Sequence, residues 1–190
     1  MSLSGILAAG SATGVHSASV AAVADPATAT ETTSSRALLE LSVKSAENLA
    51  HPLSILEGDQ FELSTDPETV VGILVNLLEN AIKVSPEDAP VELKAELFEP
   101  KWAAFSVLDR GPGVSEAMRE RLFEPYRSGF PQDRNLSRSG PNSRHTGLGL
   151  GLAIAQRLAH SLRGRLEYRE RAGGGSIFTL LVPQHDRSKD

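Results

Sequence analysis

The stretch 66-DPETVVGILVNLLENAIKVS-85 most constrains what this chain can fold into. Asp66 has the side chain of a helix N-cap, and Pro67 falls in the first turn, where a missing N–H costs nothing. The helix it predicts ends before Pro86. Its body is mostly Val, Ile and Leu, so it must be covered by other elements. Asn76 and Asn80 are four residues apart and share one face, with Lys83 one turn further on. Amides and an amine on such a helix are costly to bury without partners. Taken alone, they equally fit a polar outer face.

The remaining elements arrange themselves around this helix. Residues 36–50, RALLELSVKSAENLA, read as a helix with Leu38, Leu41, Ser42, Ala46 and Leu49 on one face, capped by Ser34 or Ser35. PLSIL and QFELS alternate on either side of Glu57-Gly58-Asp59 and predict a hairpin. VELKAELFE and WAAFSVLD predict two strands joined at Glu99-Pro100-Lys101. GRLEYRER and SIFTLLVP predict two more, joined by Gly173-Gly174-Gly175. A short helix is expected at EAMRERLF and a longer one over residues 149–162. Strands in hairpins mixed with helices imply an α+β fold: a two-layer α/β sandwich, its mixed, mostly antiparallel sheet carrying helices on one face.

Residues 1–34 are Ala, Ser, Thr, Gly and Val with little charge, and read as a low-complexity, disordered leader or linker. The expected domain spans residues 35–185, with 186–190 as a tail. Residues 125–146 carry Arg127, Arg134, Arg138 and Arg144 and little apolar content, the pattern of a long functional loop. The net charge of -5 argues against sequence-independent nucleic-acid binding. There is no cysteine, which excludes disulfides and thiolate metal sites. The five histidines lack ligand-like spacing. No apolar run approaches the length of a membrane span. Ala22 and Ala24 sit as in a signal-peptidase site, but no basic residue precedes Arg36, so a cytoplasmic location is expected.

Two further stretches carry chemistry. In Asp109-Arg110-Gly111-Pro112-Gly113 a carboxylate ends an apolar strand and two glycines follow. Such a carboxylate can accept from an exocyclic amine such as that of adenine, and the glycines permit a tight turn and close backbone approach. In 146-TGLGLGLAIAQRLAHSLRG-164, Gly147, Gly149 and Gly151 precede an amphipathic helix. Glycines there expose N–H groups where the helix dipole adds positive potential, which makes an anion site, above all for phosphate. The G-x-G-x-x-G spacing is absent, and no Gly-Lys pair of a P-loop occurs.

In order, NLLENAIK, DRGPGV, LFEPYRSG, GLGLGLAIAQRL and GGGSIFTLLVP resemble the ATP-binding catalytic domain of sensor histidine kinases, in the GHKL ATPase superfamily, from Ser64 to Pro183. The resemblance implies ATP and Mg²⁺ as ligands. It implies that Asn80 ligates the metal, that Asn76 lies one turn earlier in the pocket, and that Lys83 reaches the phosphates. Asp109 would read the adenine amino group, beside Gly111 and Gly113. Phe123, Tyr126 and Arg127 would open the lid. Gly147, Leu148, Gly149, Leu150 and Gly151 would wrap the triphosphate, and Thr179 would line the pocket. Gyrase-like and chaperone relatives resemble one another in placing a glutamate where Asn76 stands here, so the resemblance implies slow hydrolysis and transfer of the γ-phosphate to a histidine.

Two features depart from the kinase pattern. Val84 stands where an aromatic residue is common, and no phosphoacceptor motif is visible; His51, in AHPLS, lacks the flanking acidic residue and arginine. The implied partners are therefore a histidine-bearing dimerisation domain outside this chain and, through it, a response regulator. The isolated domain is expected to be monomeric. The alternatives are a nucleotide-binding regulatory module without phosphotransfer of its own, an anti-sigma-like serine kinase, and a hydrolytic ATPase.

Overall fold

The computed structural model describes residues 30–98, 101–125 and 149–184. Seven strands and four α-helices follow in the order β1 Glu31–Ser34, α1 Ser35–Ala46, β2 Leu53–Ile55, β3 Glu62–Thr65, α2 Pro67–Val84, β4 Val91–Phe98, β5 Trp102–Leu108, α3 Glu116–Arg119, α4 Gly151–Ser161, β6 Arg165–Glu170 and β7 Ser176–Pro183. A five-stranded sheet runs β2-β4-β5-β7-β6. Only the β2–β4 pairing is parallel, so the sheet is mixed and mostly antiparallel, as expected.

The central helix forms where its cap and periodicity dictate. The Asp66 carboxylate accepts from the N–H groups of Glu68 and Thr69 at 3.1 and 3.2 Å, satisfying two first-turn donors. Val70, Ile73, Leu74, Leu77, Leu78 and Ala81 form a buried stripe at helical spacing. That stripe meets the sheet residues that alternate inward: Leu93, Phe105, Val107, Phe178 and Leu180. α1 and α4 flank α2, and Ala155 and Ala159 of α4 are small enough to let the helices pack closely. Leu77 is fully buried at the middle of α2. Leu77→Ala is expected to destabilise the fold by about 3 kcal/mol, through lost transfer energy and the cavity left behind. Urea unfolding followed by circular dichroism measures this.

Three expectations are corrected. PLSIL and QFELS do not form a hairpin. β2 pairs with β4, β3 pairs with β1 in a separate two-stranded sheet, and the connecting residues run on along β4. There Leu56 and Asp59 donate to the carbonyls of Leu93 and Ala95 at 2.8 and 2.9 Å. A Cβ at Gly58 would run into the Ala95 carbonyl oxygen, so this glycine serves close strand approach rather than a turn. Residues 31–34, assigned to the leader by composition, form β1, because β3 offers an antiparallel partner. Leu41 is 47% exposed, and Leu39 is buried in its place. The buried face of α1 follows the 3-4 spacing of Ser35, Leu38, Leu39, Ser42 and Ala46.

Candidate functional site

A cavity of about 430 Å³ opens between α2, the end of β5, α3 and the start of α4. That is within the usual size range of small-molecule pockets. Its walls are sorted by chemistry. Val84, Met118, Leu122 and Phe178 supply apolar surface suited to a flat ring. Asp109 lies at the end of β5, and Asn80, Lys83 and Gly149 lie on α2 and before α4.

Asp109 is 1% exposed. Its Oδ1 accepts from the N–H groups of Gly111 and Ser176, at 2.8 and 3.0 Å. Its Oδ2 is buried and has no partner among the described residues. One oxygen is thus held by the backbone while the other is a buried acceptor of a cavity-lining residue, which a donor such as an exocyclic amine could satisfy. Gly111 is confined by Val84, whose side chain a Cβ there would strike at 2.7 Å. Gly113 has φ 74°, a conformation in which glycine carries no penalty. Beyond it, the Val114 N–H donates to the Tyr168 hydroxyl at 3.2 Å, which ties this loop to β6.

The other end of the cavity suits an anion. Gly149 is left-handed at φ 67°, and α4 begins two residues later. Among the described residues no side-chain cap satisfies that helix start, and Lys83, Asn80 and Gly149 line the same cavity, so its first-turn N–H groups are available to a negative charge. Asn80 brings an amide oxygen to this end. Among the described residues no group of three or more His, Asp or Glu side chains is poised to hold a metal. A hard cation here fits as an ion held by one amide oxygen, phosphate oxygens and water, and Mg²⁺ suits that donor set.

The sequence-derived residues divide accordingly. Asn80, Lys83, Asp109, Gly113 and Gly149 line the cavity, Gly111 adjoins it through Asp109, and Leu150 and Gly151 start α4. Tyr126, Arg127, Gly147 and Leu148 lie outside the described residues, as does the loop between them. Phe123 packs against the core cluster.

Two of these residues are not among the described residues that line the cavity. Asn76 adjoins the start of α4: its Nδ2 donates to the Gly72 carbonyl at 2.8 Å, and its Oδ1 faces Gly151, 3.6 Å from where a Cβ would stand. One helical turn separates it from Asn80, and the start of α4 covers that turn. Thr179 points to the sheet face opposite the helices, where its hydroxyl bonds the Ser106 hydroxyl at 2.9 Å. Strand alternation places Phe178 and Leu180 inward and Thr179 outward. The residue missed on this strand is Ser176, which lines the cavity and holds Asp109. Its position directly after Gly173-Gly174-Gly175, at the strand start opposite Asp109, was the available signal.

Comparison with known proteins agrees with this geometry. The family model described as histidine kinase-, DNA gyrase B-, and HSP90-like ATPase matches residues 65–186. The swarming motility regulation sensor protein RssA of Serratia marcescens is 35% identical over 137 residues, covering 71% of this chain and 27% of that protein. The sensor protein KdpD of Clostridium acetobutylicum is 31% identical over 127 residues, covering 66% of this chain and 13% of that protein. The chain thus spans less than a third of either relative. The mycobacterial sensor histidine kinase MprB superposes with a TM-score of 0.64 at 20% identity, covering 82% of this chain and 98% of that one, a likeness of fold.

Proposed function

The chain belongs to the histidine kinase-, DNA gyrase B- and HSP90-like ATPase family, and on that premise we propose that it is the catalytic part of a sensor histidine kinase. In this reading it binds Mg-ATP and transfers the γ-phosphate to a histidine on a separate dimerisation domain, which passes it to a response regulator. The observation that carries the nucleotide reading is the cavity-lining Asp109 carboxylate, with Oδ1 held by two N–H groups and Oδ2 buried and without a partner among the described residues.

The adenine lies between Val84, Met118, Leu122 and Phe178, with its amino group donating to Asp109 Oδ2. The triphosphate extends toward Lys83 and the start of α4, where the ammonium and the first-turn N–H groups meet negative charge. Asn80 holds Mg²⁺, which when bound neutralises phosphate charge. Phosphoryl transfer asks chiefly for positioning and charge stabilisation. Among the described lining residues the Asn80, Lys83 and Gly149 end has no carboxylate; Glu170, further along the wall, is paired with Arg119 at 2.8 Å. Asn76, whose Oδ1 faces the α4 start at Gly151, offers an amide that cannot take a proton from water, so hydrolysis is slow and the phosphoryl group awaits an incoming nucleophile. No helix among the described residues is long and apolar enough to cross a membrane. We place this domain in the cytoplasm.

Incubation with γ-labelled Mg-ATP tests this, with and without a histidine-bearing dimerisation domain supplied as a separate chain. Nucleotide binding is expected in both samples, with acid-labile label only on the added domain. Absence of binding at millimolar ATP would overturn the reading. Label on this chain alone would move the acceptor onto one of its own histidines.

A further inference from the structure

The end of β5 that carries Asp109 is held from the sheet face opposite the helices by one guanidinium. Arg171 follows β6, and its side chain is 11% exposed. Its Nη1 donates to the Asp109 carbonyl oxygen at 3.2 Å, and its Nη2 pairs with the Glu92 carboxylate on β4, itself 19% exposed. The Arg171 backbone closes its own turn: its N–H donates to the Gly175 carbonyl at 3.1 Å, and its carbonyl accepts from Gly174 at 3.0 Å. Arg171 therefore joins β4, the end of β5 and the β6–β7 turn. The turn and the strand end touch directly, since a Cβ at Gly175 would run into the Asp109 carbonyl oxygen, and Gly175 has φ 106°. The next residue, Ser176, supplies one of the two N–H groups on Asp109 Oδ1. The relative position of strand end and turn thus sets where Asp109 Oδ2 lies.

We propose that Arg171, anchored by Glu92, is a positioning residue for base recognition: it holds Asp109 where its free oxygen selects a 6-amino group, without lining the cavity. The proposal rests on the reading that the cavity takes an adenine nucleotide. A rigid planar fork suits the role, because one guanidinium can bond a carbonyl and a carboxylate at once.

The two roles open to a nearly buried ion pair are separable. Replacing such a pair with apolar side chains of similar volume is often neutral for stability. The double variant Arg171→Met, Glu92→Met therefore removes the bridge without stranding a charge, and carries the test even where Arg171→Ala alone fails to fold. The probes are ATP and purine riboside triphosphate, which lacks the 6-amino group. The native protein should bind ATP more tightly; if it does not discriminate, the adenine reading falls and this proposal with it. If it does, the double variant should lose about tenfold in affinity for ATP, the scale of one impaired hydrogen bond to a charged group. Its affinity for the analogue should stay within about twofold. An undiminished preference for ATP in the double variant, or an equal fall for both nucleotides, overturns the positioning role while leaving the nucleotide site standing.

Discussion

Asp109→Ala is expected to weaken ATP binding by about a hundredfold. A hydrogen bond to a charged, desolvated carboxylate is worth roughly 1.5–3 kcal/mol, or about 10- to 150-fold in affinity. Alanine removes that acceptor and also leaves the Gly111 and Ser176 N–H groups without the oxygen that now holds them. The effect should be selective. Native protein should prefer ATP over GTP, whose 6-oxo group would set an acceptor against Asp109 Oδ2 in the same pose. The variant should bind the two alike. Competition against a fluorescent nucleotide gives both numbers. Equal affinity for ATP and GTP in the native protein would remove Asp109 from base recognition.

Asn80→Ala should abolish the part of nucleotide affinity that depends on magnesium. The amide is the one oxygen donor that α2 brings to the Lys83 end of the cavity. Without that amide, Mg²⁺ bound to the phosphates and water would lose its side-chain oxygen ligand from α2. In excess Mg²⁺ the variant should bind ATP about a hundredfold more weakly than the native protein, the scale of a few kcal/mol. In the presence of a chelator the two should converge. Asn80 is half-buried and its side chain makes no hydrogen bond among the described residues, so unfolding should shift little. Unchanged affinity in Mg²⁺ would overturn the metal assignment, and a loss that persists in chelator would assign Asn80 to the nucleotide itself.

Legibility in the sequence followed the range of the interactions. The Asp66 cap, the stripe of α2, the β4–β5 and β6–β7 hairpins and the strand-end carboxylate are set by residues a few positions apart, and each was readable. Thr179 against Ser176 was also a local question of strand parity, and there the glycines before Ser176 could have decided it. The resemblance supplied roles that spacing does not: the amide at Asn80, the amine at Lys83 and the adenine at Asp109.

What the sequence by itself determined is therefore the elements other than β1, and the residue types at the strand end and helix starts that border the cavity. The tertiary structure decided that β2 joins β4 in parallel, that β1 and β3 form their own sheet, and that the start of α4 covers Asn76. It also decided which Asp109 oxygen is left free, because Ser176, 67 residues away, takes the other. The reason is that alternation and caps act along the chain, whereas register, edge choice and the partner of a buried carboxylate depend on which distant backbone arrives beside it.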